Sequence, residues 1–530
     1  MKKTKRIYYI GISMLLTVLV GSCESELDLE PITSQTADKV FEDPLAYKQF
    51  LAKIYGGIAI NGQAAGDADI QGIDGNFSNY LRLLFTVQEL STDQAIIAWN
   101  DGTIHDIHNH VWTPANEFLS AMYSRIYFQV GMVNQFLRET TEAKLDERGV
   151  DTALRAEIQL FRDEARFMRA LSYWHGIDNF GNIPFVTETD KVGNFFPEQR
   201  SRGEVFEFIE SELLEIKDSL LDPRGNEYGR ADKAAVWMLL AKLYLNAEVY
   251  TGVARYSDAL PYIVNVIESG YTLSPNYNYL YLADNDRNGA ENEVIFSVLF
   301  DGINNAGFGG TTYLTHAAIG GTMNPAEFGV NGGWWGIRTT ENFVQKFADI
   351  SGDTDSRAMF YTDSQTLEIE DPFNFQNGYA VTKYRNVDVN GAIGSDVSGN
   401  IVDIDFPMFR LADAYLMYAE VFVRGAGGDQ ATALNYVNLL RERAYGDTSG
   451  NITASELNPD FILDERSREL YWECHRRTDL IRFGQFSSQG IWPWKGNVPE
   501  GRTTESFRDL YPIPVADVIA NPNITQNDGY

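Results

Sequence analysis

The chain has 530 residues, a formal charge of −31, 44% hydrophobic and 13% aromatic residues, and two cysteines. Apolar residues are plentiful enough for packed cores, which argues against a disordered chain. The acidity argues against nucleic acid or an anionic lipid surface as partner, because such a chain repels both.

Residues 1–22 begin with Lys2, Lys3, Lys5 and Arg6 and continue in an apolar stretch from Ile7 to Val20. This is the layout of a secretory signal peptide, and the apolar part is short for a membrane span. Val20-Gly21-Ser22-Cys23 resembles the box at which lipoprotein signals are cut, with small residues beside the cut and a thiol to carry lipid. Lipidation of Cys23 predicts a stable tether, since each buried methylene contributes about 0.8 kcal/mol and a lipoprotein carries more than one chain. Removing residues 1–22 removes four positive charges and no acidic ones, which leaves −35. With Cys23 acylated, Cys474 has no intramolecular partner. No other charge-free apolar run is long enough to span a bilayer, so the body is expected to be soluble and held to the membrane by its lipid alone.

Helical periodicity dominates the mature chain. Leu154 to Asp178 repeats apolar residues at three- and four-residue spacing, and so do Ala231 to Ala247, Asp258 to Ser269, Phe409 to Arg424 and Ala431 to Ala444. Alanines at close-packed positions with aromatics between them predict degenerate, tetratricopeptide-like helix pairs without a strict repeat length. The expected fold is mainly α, a superhelical scaffold of such pairs with long irregular loops and a few short strands. Trp174, Trp237, Tyr244 and Tyr418 read as core residues of the pairs. Residues 61–116, 301–340 and 385–406 are rich in Gly, Asn, Asp and aromatics and read as long loops, which in folded domains tend to be functional. Glu293 to Phe300 reads as a strand.

Three segments carry a family resemblance. EARFMRALSYWHGIDNFGNIPFV (164–186) resembles the SusD/RagB signature in which a helix ends at Phe-Gly and turns into a Pro-Phe strand. ERSRELYWECHRRTDLIRFGQF (465–486) resembles the C-terminal helix of that family, and YPIPVADVIANPNITQNDGY (511–530) its terminal segment. The resemblance covers essentially the whole chain. It implies a signal peptide at 1–22 and a mature protein at 23–530, with an N-terminal SusD-like part near 24–230 and a C-terminal RagB/SusD part near 231–530. The acidic run Glu24, Glu26, Asp28 and Glu30 resembles an export tag for the outer face of the outer membrane. The family implies an outer-membrane, lipid-anchored lipoprotein facing the cell exterior, which captures glycans and delivers them to a SusC-like TonB-dependent transporter.

The closest likeness within the family is to its starch-binding prototype, through GRADKAA (229–235) and DGINNAGFGGTTYL (301–314). There two tryptophans and a tyrosine cup a helical glucan, assisted by an aspartate, an arginine and an asparagine. Matched motif by motif, Asp74 and Arg82 stand for the aspartate and arginine, Trp334 for one tryptophan, and Phe308 replaces the tyrosine. Ile97 falls where the other tryptophan would be and Gly102 where the asparagine would be, while Trp99 matches a neighbouring tryptophan. Trp335, beside Trp334 in a Gly-rich run, is a further platform candidate. Asp286, Asp403 and Asp405 match carboxylates that bind calcium in the prototype, an ion that takes several hard oxygens. His105, His108 and His110 cluster in one loop, but their spacing fits no standard zinc motif. Arg476, Arg477, Asp479 and Arg482 could pass for a catalytic group, yet on a helix they read as structural ion pairs.

A glucan is therefore the expected ligand, with the partly dismantled arc leaving α-glucan, β-1,3-glucan and fructan open. The rival readings are a peptide-capturing lipoprotein of the same family, a glycoside hydrolase and a tetratricopeptide adaptor. Hydrolysis requires two carboxyl groups about 5 to 9.5 Å apart. The sequence carries no HExxH, GxSxG, GxGxxG or Walker motif, and a non-enzyme is expected. Long aromatic loops count against the adaptor.

Overall fold

The apolar periodicity becomes long, paired helices in the computed structural model. It describes residues 37–530 apart from 63, 65 and 194, so the expected signal peptide and Cys23 lie outside the described residues. The principal helices are α1 (Leu45–Ala59), α2 (Tyr80–Gln88), α3 (Glu117–Glu139), α4 (Thr152–Phe180), α5 (Arg202–Ile216), α6 (Lys233–Leu245), α7 (Tyr256–Ile267), α8 (Gly310–Ala317), α9 (Leu411–Val423), α10 (Gln430–Tyr445), α11 (Pro459–Leu470) and α12 (Arg476–Arg482). Side-chain caps fix where many of them start. Asn116 accepts from the backbone of Phe118 and Leu119, Asp232 from Ala234 and Ala235, and Ser201 forms a reciprocal capping box with Glu204. Each such cap satisfies amide groups the first turn leaves without partners.

α3 packs on α4, α4 on α5, α6 on α7, α7 on α9, and α9 on α10, which gives the expected tetratricopeptide-like array. Trp174, Tyr244 and Tyr418 are buried in it, and Trp237 is half-buried against it. The C-terminal tail is docked rather than free. Tyr511 donates its hydroxyl to the Val87 carbonyl at 2.8 Å, and Asn527 donates to the carbonyls of Phe180 and Tyr511.

Three expectations are corrected. Phe409 and Arg410 do not open a helix: Phe406–Arg410 is a strand (β4) paired antiparallel, with register shifts, to Val294–Val298 (β2), and α9 begins only at Leu411. The 465–486 segment is not one helix. Between α11 and α12, Trp472 and Cys474 adopt left-handed backbone (φ 62° and 65°), and the bend aims Glu473 at Arg410 and Lys383 in the interior. The stretches 61–116 and 301–340 are not wholly irregular either, since they hold α2, α8 and a short helix, Ile104–Asn109.

Two two-residue strands decide where these loops go. Ile96–Ile97 (β1) pairs antiparallel with Ile337–Arg338 (β3), and Ala98 extends the ladder by donating to the Gly336 carbonyl at 2.8 Å. Residues nearly 240 positions apart are thereby joined, with Trp99 placed next to Trp334.

Candidate functional site

Asn79 assembles the floor of the site. Its side-chain oxygen caps α2 by accepting from Arg82 N at 3.0 Å and also accepts from Gly310 N at the start of α8 at 3.1 Å. Its side-chain nitrogen donates to Ala59 O at the end of α1. A side chain at position 309 would collide with Asn79, so Gly309 is what lets α8 approach this closely. The result puts Arg82 over the face of Tyr313, with the guanidinium carbon 4.4 Å from the ring centroid. The same group lies 5.6 Å from the Trp99 ring and donates to Asn76 O at 2.6 Å.

Above this floor opens a cavity of about 730 Å³. Its aromatic lining is Phe77, Trp99, Phe118, Tyr313 and Trp334, and its polar lining includes Asp74, Asn76, Arg82, Asp101 and Glu117. Trp334 is half-buried because one face stacks on His316, at 4.6 Å and 16°. His316 is itself tied to the carbonyls of Gly332 and Asn400, so it holds the indole plane in place. Trp99 donates its indole N–H to the Trp334 carbonyl at 2.7 Å and lies against Gly336, where an added Cβ would come within 2.7 Å of its ring. Its polar atom is thus consumed in bracing the loop, and its contribution to the cavity is apolar surface. Phe308 is exposed and flanks Trp334 with centroids 6.4 Å apart.

Burial lowers the pKa of Arg82, while Tyr313, Asp101 and Asp74 favour its charged form in turn. Burial lifts Tyr313 to about 12, so its phenol stays protonated at neutral pH. Among the described residues, no ion pair joins Arg82 to Asp74, Asp101 or Glu117. The site therefore combines flat aromatic surface with a guanidinium and several carboxylates whose hydrogen-bonding capacity is not consumed by one another.

Four of the expected ligand residues, Asp74, Arg82, Trp99 and Trp334, line this one cavity, as do Ile97 and Gly102. Phe308 sits at its edge. Trp335 does not line it: its indole is 52% exposed and turned toward Phe375. Sequence reasoning missed Tyr313, Asn76, Asp101 and Glu117. Glu117 is instructive, because its carboxylate occupies the space beside Gly102 (φ 48°) that a side chain there would need. The glycine that looked like a loss makes room for an acid from the start of α3.

The other candidates resolve differently. His108 is buried between the carbonyls of Leu90 and Pro493, with its pKa pushed down to about 4 by burial. His110 is buried against Trp112, Phe486 and Trp492, and His105 packs on Phe373, so the three rings diverge into packing. Asp286, Asp403 and Asp405 are neighbours: burial, followed by the charges of the other two, raises Asp405 well above the usual carboxylate range. Each already holds a partner through at least one oxygen. Asp286 pairs with Arg287 at 2.6 Å, Asp403 accepts from Gly302, Ser395 N and Ser395 Oγ, and Asp405 from Phe300 N. Among the described residues, no three Asp, Glu, His or Cys side chains are gathered as a ready-made metal cluster. Arg476, Arg477, Asp479 and Arg482 are buried ion pairs: Arg476 is bidentate to Asp93 at 2.7 Å, and Arg482 bridges Glu420 and Asp479. Cys474 is buried and unbridged.

Comparison with known proteins fits this architecture. Residues 27–245 match a family model described as starch-binding, associating with the outer membrane, and residues 334–530 match the SusD family model. The chain is 33% identical, over the full length of both, to the starch-binding protein SusD of Bacteroides thetaiotaomicron. It is 25% identical to the SusD-like protein P2 of Formosa agariphila, over 81% of this chain and 84% of that one. Among solved structures, surface glycan-binding protein A from Bacteroides fluxus superposes with a TM-score of 0.69 at 20% identity, covering 91% of this chain and 99% of that one. Surface glycan-binding protein A from Bacteroides thetaiotaomicron, solved in complex with laminarihexaose, gives a TM-score of 0.65 at 20% identity, over 91% and 98%. Full-length identity to a characterised relative, both family models and the helical architecture agree: this chain belongs to the SusD family.

Proposed function

We propose that the chain is a cell-surface glycan-binding lipoprotein that captures oligosaccharides, a glucan foremost, and hands them to a SusC-like TonB-dependent transporter. The observation that carries this reading is the cavity in which Trp334 and Trp99 offer aromatic surface while Asp74, Arg82, Asp101 and Glu117 stand around them. A pyranose presents apolar C–H faces and equatorial hydroxyls, which such a surface matches by stacking and by charge-assisted hydrogen bonds. The names of the relatives, starch-binding and glycan-binding, support the ligand class. The description of the family model matched at 27–245, associating with the outer membrane, supports the location. Capture without turnover is part of the proposal. Calcium enters it only as an ion that would have to displace Arg287 from Asp286, visible as a rise in melting temperature over chelator-treated protein.

The test is an affinity-gel panel of α-glucans, β-1,3-glucans and fructans with protein lacking residues 1–23, followed by calorimetry on the best binder. Retardation by one or more of these glycans is expected; indifference to all of them, with binding of peptides instead, would transfer the chain to the peptide-capturing branch. Steady release of reducing ends by homogeneous protein, abolished by a single carboxylate substitution, would make it an enzyme. Cys23→Ala should release the protein from the membrane fraction, and co-purification with the transporter should be lost with it.

A further inference from the structure

The tandem tryptophans point in different directions, and the second has no place in the cavity. In Gly332-Gly333-Trp334-Trp335-Gly336 the residue with left-handed backbone is Trp335 (φ 54°), although none of the three glycines around it takes that conformation. A bulky side chain is a poor choice for a left-handed position that glycine fills without strain, and such outliers gather at binding sites. The conformation is held by Trp335 N donating to Ile319 O at 2.9 Å, and it leaves the indole half-exposed with Phe375 beneath it at 5.9 Å.

A second exposed aromatic lies two residues before Phe375. Phe373 is 52% exposed and rests on the His105 ring at 4.4 Å. His105 is the chain neighbour of Ile104, which lines the cavity. Arg338 ties the turn that carries Phe373 to the strand that follows Trp335. This fully buried guanidinium, three residues after Trp335, donates to Asn377 O at 2.8 Å and Pro372 O at 3.0 Å, clamping the 371–377 turn that carries both Phe373 and Phe375. Asp371 closes the turn by accepting from Phe373 N at 2.9 Å.

We propose that Trp335 and Phe373 form an outer glycan subsite, a firmly backed aromatic lip that stacks on the sugar units of a chain extending out of the cavity. This rests on the proposed glycan reading and sharpens it, because it makes chain length a determinant of affinity. Sugars short enough to sit on Trp334 and Trp99 alone ignore the lip, whereas longer chains of the same linkage use it.

The experiment compares wild type with Trp335→Gly and with Phe373→Ala by calorimetry. The probes are short and long members of the malto- and laminari-oligosaccharide series, with a melting curve on each sample. Both variants should weaken the long oligosaccharides roughly tenfold, the scale of one lost stacking contact. They should leave the short ones unchanged, while Trp335→Tyr retains the length preference. Equal weakening at every length, or none at any length in wild type-like folded protein, overturns the lip while leaving the cavity intact. If wild type binds neither series nor any other glycan, the cavity reading falls first and the lip with it. Should Trp335→Gly not fold, Phe373→Ala decides alone.

Discussion

The buried arginines around α11 and the lone arginine of the cavity are built from the same parts and put to opposite uses. Arg410 is 1% exposed and meets Glu293 at 2.9 Å, Glu469 at 2.6 Å and Glu473 at 2.7 Å. Arg357 is shared by Asp355, Glu465 and Glu469, and Arg466 by Asp413 and Asp479. Each guanidinium there is saturated by carboxylates that are themselves saturated, the condition under which a buried charge is tolerable. Arg82 has carboxylates nearby but lies over Tyr313 instead and bonds a backbone oxygen. Charge matched inside the protein holds the fold, and charge arranged beside aromatic faces and left unmatched is available to a ligand.

The contrast can be broken at its strong end first. Arg410→Ala should cost about 3–5 kcal/mol, the range for stripping one partner from a buried ion pair, because three buried carboxylates each lose a partner. Urea unfolding should show that loss while the fraction still folded binds glycan with unchanged Kd. Acid probes the same region. Arg482 holds Glu420 down at about 2 against an ordinary value of 4.5, so its stabilisation is present above pH 4.5 and is lost as pH falls toward 2. His108 and His175 are kept near 4 by burial, so the unfolded chain takes up their protons first and stability already erodes between pH 6.5 and 4. The melting temperature should fall through both intervals as the pH drops below 6.5, and Glu420→Gln should make the lower fall shallower.

At the cavity the ranking of effects reverses. Trp334→Ala should weaken the best glycan by about 1–3 kcal/mol, taking nucleobase stacking as the analogue, which is roughly 5- to 150-fold in Kd. Its melting temperature should change less than its affinity, because the ring is only partly buried. Asp74→Ala should have the smallest effect, on the order of 1 kcal/mol in binding for one hydroxyl hydrogen bond and none measurable in stability, since Asp74 is exposed. A Trp334→Ala protein that melts several degrees lower and binds normally would erase the distinction between the two regions.

Much of this contrast was legible in the sequence, for local reasons. Trp334 stands in a glycine-rich run, which marks it as a loop residue rather than part of a helix pair, and the alanine-rich helices announce themselves by period. What was not legible depends on distant partners. Phe409 and Arg410 have a helical pattern on their downstream side, but the pairing of Phe406–Arg410 with Val294–Val298 claims them for a sheet. The 465–486 run contains no proline or glycine until Gly484, yet it breaks at Trp472 because Glu473 is drawn to Arg410 and Lys383. Tyr313 and Glu117 look like an ordinary helix residue and an ordinary first-turn acid. They join the site through Asn79 and Gly102, whose roles appear only when residues far apart in sequence meet.

The docked tail has a consequence for the timing of assembly. Val87, at the end of the helix that carries Arg82, is bonded by Tyr511, a separation of 424 positions, and Trp112 donates to the Tyr530 hydroxyl 418 positions later. Contacts of such span close late, because the intervening chain must first be brought to order. A polypeptide crossing the envelope amino end first would have made Trp99 and Arg82 long before the residues that fasten their support arrive. The support behind the cavity helix is then completed only when the last residues of the chain arrive.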